Sequence, residues 1–506
     1  MNKKSISKKT KITLIASGCI TLIVAVVLAF VFSGSSFGRV IKKASKNLTE
    51  YAISAEISTE FVVSASQTVD YVNTTGQDLE NICFHLYPMA FREDATIKPY
   101  TNLNKASCFP NGESFSKMTI SKVEVNGQSA NFELSGEDFD ILQVNFVNNL
   151  QAKKRAKIQI DYILELPNCT HRLGYYDGVI NLGNWYPVVC YFDSQGWDMS
   201  PYYSTGDPFV SSCANYTVSV KYPLEFDCYA TGNKTSGEAG KTVFNALAVR
   251  DFAVVLTNKG QSATKKAGNT TVEYVGYNQD ADVEQNAELS KKAVEFFSEV
   301  FMTYPYENLV VIKSSFLHGG MEYPNLVIVS DNINDQEEFQ KVIVHEIAHQ
   351  WWYGLVGNNQ ITEAWLDESL AEYSTCLFFE DQKEYNINYS DQIKDATASY
   401  LIYVDVISSL NGKVNTAINC AVYDYTNEYE YTYMVYVKGV IMFDSLREVV
   451  GKDKLIKGLK KYAKEYAFCV ASGQDLIKCL KSTCHKDLDN FFSGWLNGSN
   501  VIGQIS

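Results

Sequence analysis

The sequence predicts a multidomain protein, with an N-terminal all-β domain of the sandwich or saddle type followed by a mainly helical α+β domain. At 506 residues the chain is too long for a single hydrophobic core. Segments in which apolar and polar residues alternate fill positions 50–264, whereas apolar residues at helical spacing dominate positions 265–506. The net charge of −14 argues against nucleic acid as a partner.

The first 49 residues differ from the rest of the chain. Five lysines lie within residues 1–11, and an uncharged run of 21 residues follows from Ile12 to Phe32. As a helix this run would be about 31 Å long, close to the thickness of a bilayer core. We therefore expect a cytoplasmic basic tail (1–11), one transmembrane helix (12–32) and a stalk (33–49), with the rest of the chain extracellular. A cleaved signal peptide and a lipidated cysteine are the alternatives for this segment.

The β-rich part is predicted from several short segments with period-two patterning, separated by Gly, Asn and Pro. Clear examples are "YAISAEISTEFVVSAS", "ILQVNFV", "AKIQIDYILEL" and "ANYTVSVKYP". Many short strands with turn signals between them are typical of a β-sandwich or a large folded sheet.

The second part begins after "GQSATKKAGNTT", which we interpret as a boundary or an exposed hairpin turn. "DADVEQNAELSKKAVEFFSEVF" predicts a helix, "NLVVIKSSF" and "NLVIVS" predict strands, and "HGGMEYP" predicts a turn into an extended segment. Helices dominate from Gln336 onward.

The chain has 12 cysteines but no Cys-x-x-Cys pair, so no zinc finger is predicted. We interpret the cysteines mainly as buried packing thiols. Some disulfides remain possible, because an extracellular domain would fold in an oxidising environment.

The segment "HEIAHQWW" at 345–352 predicts a metal site. His345 and His349 are four residues apart, so both imidazoles project from one face of a helix, whose start Asp331 or Asn332 could cap. Catalytic zinc takes three protein ligands and keeps one open position, so a third ligand must come from elsewhere. Glu368 follows after 18 intervening residues, in the helical segment "TEAWLDESLAEYSTCLFF". An antiparallel pair of helices would bring it opposite the histidines.

Glu346 lies between the two histidines and would sit near the metal without binding it. That is the position of a base that takes a proton from water. For the five-residue pattern alone, the alternative interpretation is a helix with two core or solvent-facing histidines.

The pattern His345-Glu346-x-x-His349, 18 residues, then Glu368 resembles the zinc aminopeptidases typified by aminopeptidase N, which are thermolysin-like gluzincins. "GGMEYP" (319–324) is similar to that family's Gly-x-Met-Glu-Asn motif, and "VYVKGV" (435–440) to its Tyr-x-Lys-Gly segment. "NWYPVV", "GDPFVSSCANYTVSVKYP" and "VRDFAVVL" resemble its all-β domain, and "DLDNFFSGWLNG" resembles the close of its catalytic domain. The resemblance covers about residues 50 to 500 and implies a thermolysin-like catalytic domain.

The resemblance implies one Zn²⁺ ion, held by His345, His349 and Glu368, and peptides as substrates. It implies release of N-terminal residues by zinc-activated water, with Glu346 as the general base. It also implies that the Tyr436 hydroxyl donates a hydrogen bond to the oxyanion that develops opposite the zinc.

The residues of "GGMEYP" receive substrate-binding roles from the same resemblance. Glu322 matches the family's carboxylate for the substrate ammonium, which would favour exopeptidase cleavage. Gly319 and Gly320 lack side chains and would let the substrate backbone approach as an added strand. Met321 would line the pocket for the first side chain.

The sequence departs from the family pattern in several places. Tyr323 replaces the Asn of the first motif, and Asp367 and Ser369 replace the Asn and Gly of Asn-Glu-Gly. No residue matches the second amine-binding acid that many members carry in the β domain, and Asp177 is the nearest candidate. Glu372 could orient a metal ligand, but we interpret it as a solvated helix position. The chain also ends after the catalytic domain, so we expect a more open cleft.

We therefore predict a single-pass protein of the cell membrane with an extracellular zinc aminopeptidase domain. A membrane-anchored zinc endopeptidase is the first alternative, and it would cleave N-blocked peptides readily by the same chemistry. A non-catalytic surface protein that binds partners through its β domain is the second. The sequence makes no prediction of oligomeric state.

Overall fold

The computed structural model describes residues 36 to 499. The chain divides into two compact units, Met1–Lys46 and Asn47–Ser506. In the first unit the structure describes one helix, Ser36–Ala44, which lies within the predicted stalk. The second unit contains both the β-rich part and the helical part.

The predicted transmembrane helix at 12–32 lies outside the described residues, as does the basic tail. Within 36–499 no helix is long and apolar enough to cross a membrane. The two helices of 18 and 23 residues there, Val283–Val300 and Tyr389–Asn411, are both interrupted by charged side chains. The predicted fold class was therefore wrong in one feature, the membrane-spanning helix. The described fold has no membrane-spanning helix, and the predicted single-pass membrane location is not supported.

An eight-stranded sheet is the largest element of the β-rich part. Its strand Glu50–Ile57 alternates exposed and buried residues along its whole length, which is the period-two pattern expected of a sheet with one buried face. In spatial order its strands are Asn233–Glu238, Lys241–Val249, Ala214–Lys221, Glu50–Ile57, Val62–Val72, Arg155–Glu165, Lys117–Val125 and Gln128–Ser129. Glu50–Ile57 and Ala214–Lys221 are parallel, and the other neighbouring strands of this sheet are antiparallel.

Two four-stranded sheets and a short hairpin complete the β-rich part, which agrees with the predicted all-β domain. One sheet contains Asp227–Ala230, Val254–Thr257, Val179–Leu182 and Leu173–Tyr176. The other contains Val188–Val189, Leu79–His85, Ile141–Leu150 and Phe132–Ser135. The hairpin pairs Phe192–Asp193 with Gly196–Trp197, and two short helical turns are Tyr87–Phe91 and Lys105–Cys108.

A mixed five-stranded sheet begins the second part. In spatial order its strands are Gly260–Ala267, Thr270–Tyr277, Asn308–Ser314, Leu326–Ser330 and Gly320–Met321. The predicted boundary between 264 and 265 falls within the first of these strands. Gly320–Met321 pairs only with Leu326–Ser330, in antiparallel register, so it forms the edge of the sheet. An edge strand has free backbone groups that can pair with another extended chain.

Most of the rest of the described chain is helical, and the helices Val283–Val300 and Gln336–Ala348 pack against the sheet. The helices of this part are Val283–Val300, Gln336–Ala348, Trp365–Asp381, Tyr389–Asn411, Glu428–Thr432, Gly439–Val450, Lys452–Tyr466, Gly473–Cys484 and Asp489–Leu496. Lys383–Tyr385 and Val422–Asp424 are single 3₁₀ turns, and Tyr433–Lys438 is π-helical. Asp335 caps the helix Gln336–Ala348 by accepting a hydrogen bond from the Glu338 N–H, so the predicted caps Asp331 and Asn332 were wrong.

The cysteines of the described part are all unpaired, and most are buried. This agrees with the interpretation of these residues as packing thiols. Cys83 and Cys190, for example, pack with Ile141 in one small apolar cluster.

Candidate metal centre and active site

Two helices bring three candidate metal ligands together. His345 lies in the helix Gln336–Ala348 and His349 directly follows it, while Glu368 lies in the first turn of the helix Trp365–Asp381. Nε2 of His345 and Nε2 of His349 lie 3.2 Å and 3.1 Å from Glu368 Oε2, and 2.9 Å from each other. Ligand atoms around a tetrahedral zinc ion lie roughly 3.3–3.6 Å apart. The three side chains therefore fit a zinc ion after only a small outward shift.

Each of the two histidines has a further polar group next to its Nδ1 atom. Nδ1 of His349 lies 2.9 Å from the carbonyl oxygen of Trp352, to which it donates, so Nε2 is the ring nitrogen that faces the other ligands and can bind a metal once its proton is lost. Nδ1 of His345 lies 3.1 Å from Glu372 Oε1. The structure thus differs from the interpretation of Glu372 as a solvated position, because its carboxylate faces a candidate metal ligand. Its place one turn after Glu368, on the same helix face, was the signal for this role.

The site concentrates negative charge in the protein interior. Glu322, Glu346, Asp367 and Glu368 are all buried, and within 36–499 none of them forms an ion pair with a lysine or an arginine. Burial raises the pKa of Glu346 to about 8, and one of its carboxylate oxygens has no hydrogen-bond partner. A site of this kind is completed by a cation.

The two candidate ligands Glu368 and His345 shift each other's pKa. Burial alone would raise the pKa of Glu368, but the charge of His349 and hydrogen bonds from both histidines hold it well below its usual range. Burial alone would lower the pKa of His345, but the Glu368 and Glu372 carboxylates raise it to about 10. A divalent ion between these side chains would take over the role of the proton.

The edge strand Gly320–Met321 lies beside Glu346. A Cβ atom on Gly320 would lie 2.3 Å from Glu346 Oε1, whereas a Cβ on Gly319 would have no atom within 4 Å. Met321 is fully buried, and its sulfur accepts a hydrogen bond from Nε of Arg172 at 3.0 Å. The strand therefore presents bare backbone next to the candidate base.

Glu322 follows the edge strand and lies close to the metal ligands. Its carboxylate, a ring nitrogen of His349 and a carboxylate oxygen of Asp367 all lie within 4.8 Å of one another. Nε2 of Gln350, the residue after His349, lies 3.2 Å from the carbonyl oxygen of Tyr323 and so ties this segment to the metal-binding helix. The Tyr323 hydroxyl, in the place of the family's Asn, donates to Asn184 Oδ1 at 3.1 Å.

Tyr436 reaches the site from the π-helical stretch Tyr433–Lys438. Its ring centroid lies 5.8 Å from that of His345, with the two planes 19° apart. Burial, together with the nearby Glu368 carboxylate, raises the pKa of Tyr436 well above its usual value, so the hydroxyl keeps its proton. π-Helical turns are rare and frequently occur at functional sites.

Lys438 anchors the same stretch. It is fully buried, its ammonium donates to the carbonyl oxygen of Thr416, and it lies 5.7 Å from the ring centroids of Tyr400 and Trp495. The Lys-Gly part of the motif therefore fixes the backbone that carries Tyr436.

The β-rich part contributes an ion pair that the sequence did not predict. Arg172 is buried, pairs with Asp207, and donates to the Tyr202 hydroxyl at 3.2 Å as well as to the Met321 sulfur. Burial raises the pKa of Asp207 to about 7 despite the neighbouring arginine, and the nearby Glu322 and Glu368 add to this rise. The candidate Asp177 lies instead in an exposed turn, where it binds Lys259 at 2.6 Å.

The chain is similar to known peptidases. Residues 285–495 match the family model of the peptidase family M1 domain. Aminopeptidase N of Lactobacillus helveticus is 23% identical over 403 residues, which is 75% of this chain and 46% of that protein. Aminopeptidase N of Lactobacillus delbrueckii subsp. lactis is 28% identical over 226 residues, 42% of this chain and 26% of that protein. The chain thus spans about half, or less, of these curated relatives.

Solved structures show the same fold. The crystal structure of an M1 zinc metallopeptidase from Deinococcus radiodurans has a TM-score of 0.64 at 16% identity, covering 90% of this chain and 93% of that one. A mutant of that enzyme bound to a Tyr-Ser-Ala substrate has a TM-score of 0.60, also at 16% identity, covering 90% and 94%. Residues 285–495 are thus similar to the domain of peptidase family M1, and the described fold is that of an M1 zinc metallopeptidase.

Proposed function

We propose that the chain is a zinc aminopeptidase that removes the first residue of a peptide. The observation that carries this proposal is the buried carboxylate of Glu322 beside the triad of His345, His349 and Glu368. A zinc ion held by the triad would act as a Lewis acid on the scissile carbonyl and would acidify water.

Glu346 is the general base of the proposal. Its carboxylate lies between the metal-binding histidines and the edge strand, where the scissile bond would be held, and its free oxygen can accept a proton from the attacking water. Burial favours the protonated form of this side chain. Once protonated, Glu346 can pass the proton to the leaving amine.

The edge strand holds the substrate backbone in this account. A peptide that pairs with Gly320–Met321 as an added strand runs past Glu346, because Gly320 has no side chain to block it. Its ammonium group meets Glu322, which directly follows the strand, and its first side chain lies beside Met321. An internal peptide bond has no ammonium to offer, so a lone buried carboxylate disfavours internal cleavage.

Tyr436 donates to the oxyanion of the transition state. Its ring stacks beside that of His345, and its high pKa keeps the proton on the hydroxyl. One such donor typically contributes about 10²–10³ in turnover.

A metal and substrate panel tests the proposal. We expect one zinc ion per chain, fast hydrolysis of leucine p-nitroanilide and of short free peptides, and slow hydrolysis of the same peptides after N-acetylation. Fast cleavage of the acetylated peptides would instead identify an endopeptidase. A protein that binds zinc but cleaves neither set would be a binding protein.

A further inference from the structure

Gln360 joins the candidate amine site to the helix that carries Glu368. It is buried, and its side-chain nitrogen Nε2 lies 2.9 Å from Glu322 Oε1 and 2.7 Å from Asp367 Oδ2. An NH₂ group has two hydrogens, so it can donate one hydrogen bond to each carboxylate. Gln360 thus bridges two buried acids that would otherwise be free to repel or rotate.

The far end of this bridge is fixed. Asp367 immediately precedes the metal ligand Glu368, and its other oxygen, Oδ1, accepts a hydrogen bond from Nδ2 of Asn358 at 2.9 Å. The same Asn358 nitrogen lies 3.1 Å from the carbonyl oxygen of Glu363. A continuous chain of hydrogen bonds therefore runs from Asn358 through Asp367 and Gln360 to the Glu322 carboxylate.

The chemistry of the donor matters. A lysine or arginine at 360 would hold Glu322 more strongly, but its charge would neutralise the carboxylate and compete with a substrate ammonium. A neutral amide fixes the orientation of the carboxylate and leaves its charge available. The backbone at Tyr323 is fixed separately by Gln350, so Gln360 is needed only for the side chain of Glu322.

We propose that Gln360 is a positioning residue that holds the Glu322 carboxylate for the substrate ammonium, and that Asp367 holds Gln360. This inference rests on the proposed aminopeptidase function. Sequence reasoning missed Gln360 because nothing in its local pattern marks it, and it meets Glu322 only through the fold.

A double-mutant cycle tests the proposal. Gln360→Leu keeps the approximate size of the side chain and removes both donors. Hydrogen bonds to charged groups are worth enough that we expect kcat/KM for leucine p-nitroanilide to fall about tenfold to hundredfold, mainly through a higher KM. Zinc content should stay at one ion per chain. Gln261→Leu, on an exposed strand position, is the matched control and should be neutral.

The cycle is completed in the Glu322→Ala background. There Gln360→Leu should change kcat/KM by less than about twofold, because the carboxylate it positions is gone. Equal losses in both backgrounds, or a loss through kcat alone with normal KM, would overturn the inference. Should Gln360→Leu fail to fold, Gln360→Met, which has a flexible side chain of similar length and no donor, takes its place with the same expectations.

The two proposals fail in different ways. Wild-type protein that holds zinc but hydrolyses no peptide would overturn the proposed function and this inference with it. Wild-type protein that is active, combined with a Gln360→Leu variant of unchanged KM, would overturn the inference alone.

Discussion

Gly320 leaves the space that Glu346 occupies: a Cβ at position 320 would lie 2.3 Å from Glu346 Oε1 and 2.5 Å from its carboxyl carbon. Real side chains do not approach so closely, so an alanine there would displace the candidate base. Gly319, the preceding residue, faces open space. This pair gives a matched test of the edge strand.

We predict that Gly320→Ala lowers kcat/KM on free peptides about tenfold to hundredfold, which is the range expected for an overpacked site. Gly319→Ala should stay within about twofold of wild type. Steady-state kinetics on the two variants, with zinc content measured on the same samples, check the prediction. Equal activities of the two variants would argue against a base in this position.

Tyr436→Phe should lower kcat by about 10²–10³ with little change in KM, because the hydroxyl acts only when charge develops on the oxyanion. Tyr433→Phe is the matched control. It lies in the same π-helical stretch, but its ring stacks on Tyr403, with centroids 4.3 Å apart. A kcat loss that is the same in both variants would point to damage to the stretch rather than to a lost donor.

Glu372→Ala should weaken zinc binding about tenfold to hundredfold, because the groups that orient metal-binding histidines typically contribute this much. Competition with a chelator of known affinity measures the effect. Glu337→Ala, at an exposed position of the helix that carries His345, is the control and should bind zinc like wild type. Unchanged affinity in Glu372→Ala would return Glu372 to the role of a solvated surface residue.

The spacing of residues along the chain predicted the metal ligands of this site. It did not predict the residues that reach the site through tertiary packing. His345 and His349 share a helix face because they are four residues apart, and Glu368 was recognised by its distance along the chain. Arg172 and Asp207 lie in the β-rich part and reach the site only through tertiary packing. No periodic pattern marks such residues.

The fold, like the site, was predicted from the sequence only in part. Alternating and helical patterns predicted the order of a β-rich part and a helical part, since each face is set by local periodicity. The membrane-spanning helix was predicted from hydropathy alone, and the described helices contain none. The helix cap at Asp335 was misplaced by a few residues because several Asp and Asn residues precede this helix.

The buried Lys438 predicts a pH effect on stability. Burial lowers its pKa from 10.5 to about 8 in the folded protein. A lowered pKa means that the folded state favours the neutral amine, so the contribution to stability is present above about pH 10.5 and is lost as the pH falls through about 8. The free energy of unfolding of wild type, measured by urea denaturation relative to Lys438→Met, should therefore rise between about pH 8 and 10. A flat or falling difference over this range would contradict the burial of a titrating lysine.

The variant Glu346→Gln tests whether Glu346 is the general base of a zinc-dependent hydrolysis. Gln has the shape of Glu but cannot accept a proton from water, so the variant should still bind one zinc ion per chain. Its hydrolysis of leucine p-nitroanilide should fall by about 10²–10⁴, the usual contribution of a general base. We therefore expect zinc binding to be retained and hydrolysis to be lost. Zinc retained with unchanged hydrolysis would contradict this expectation.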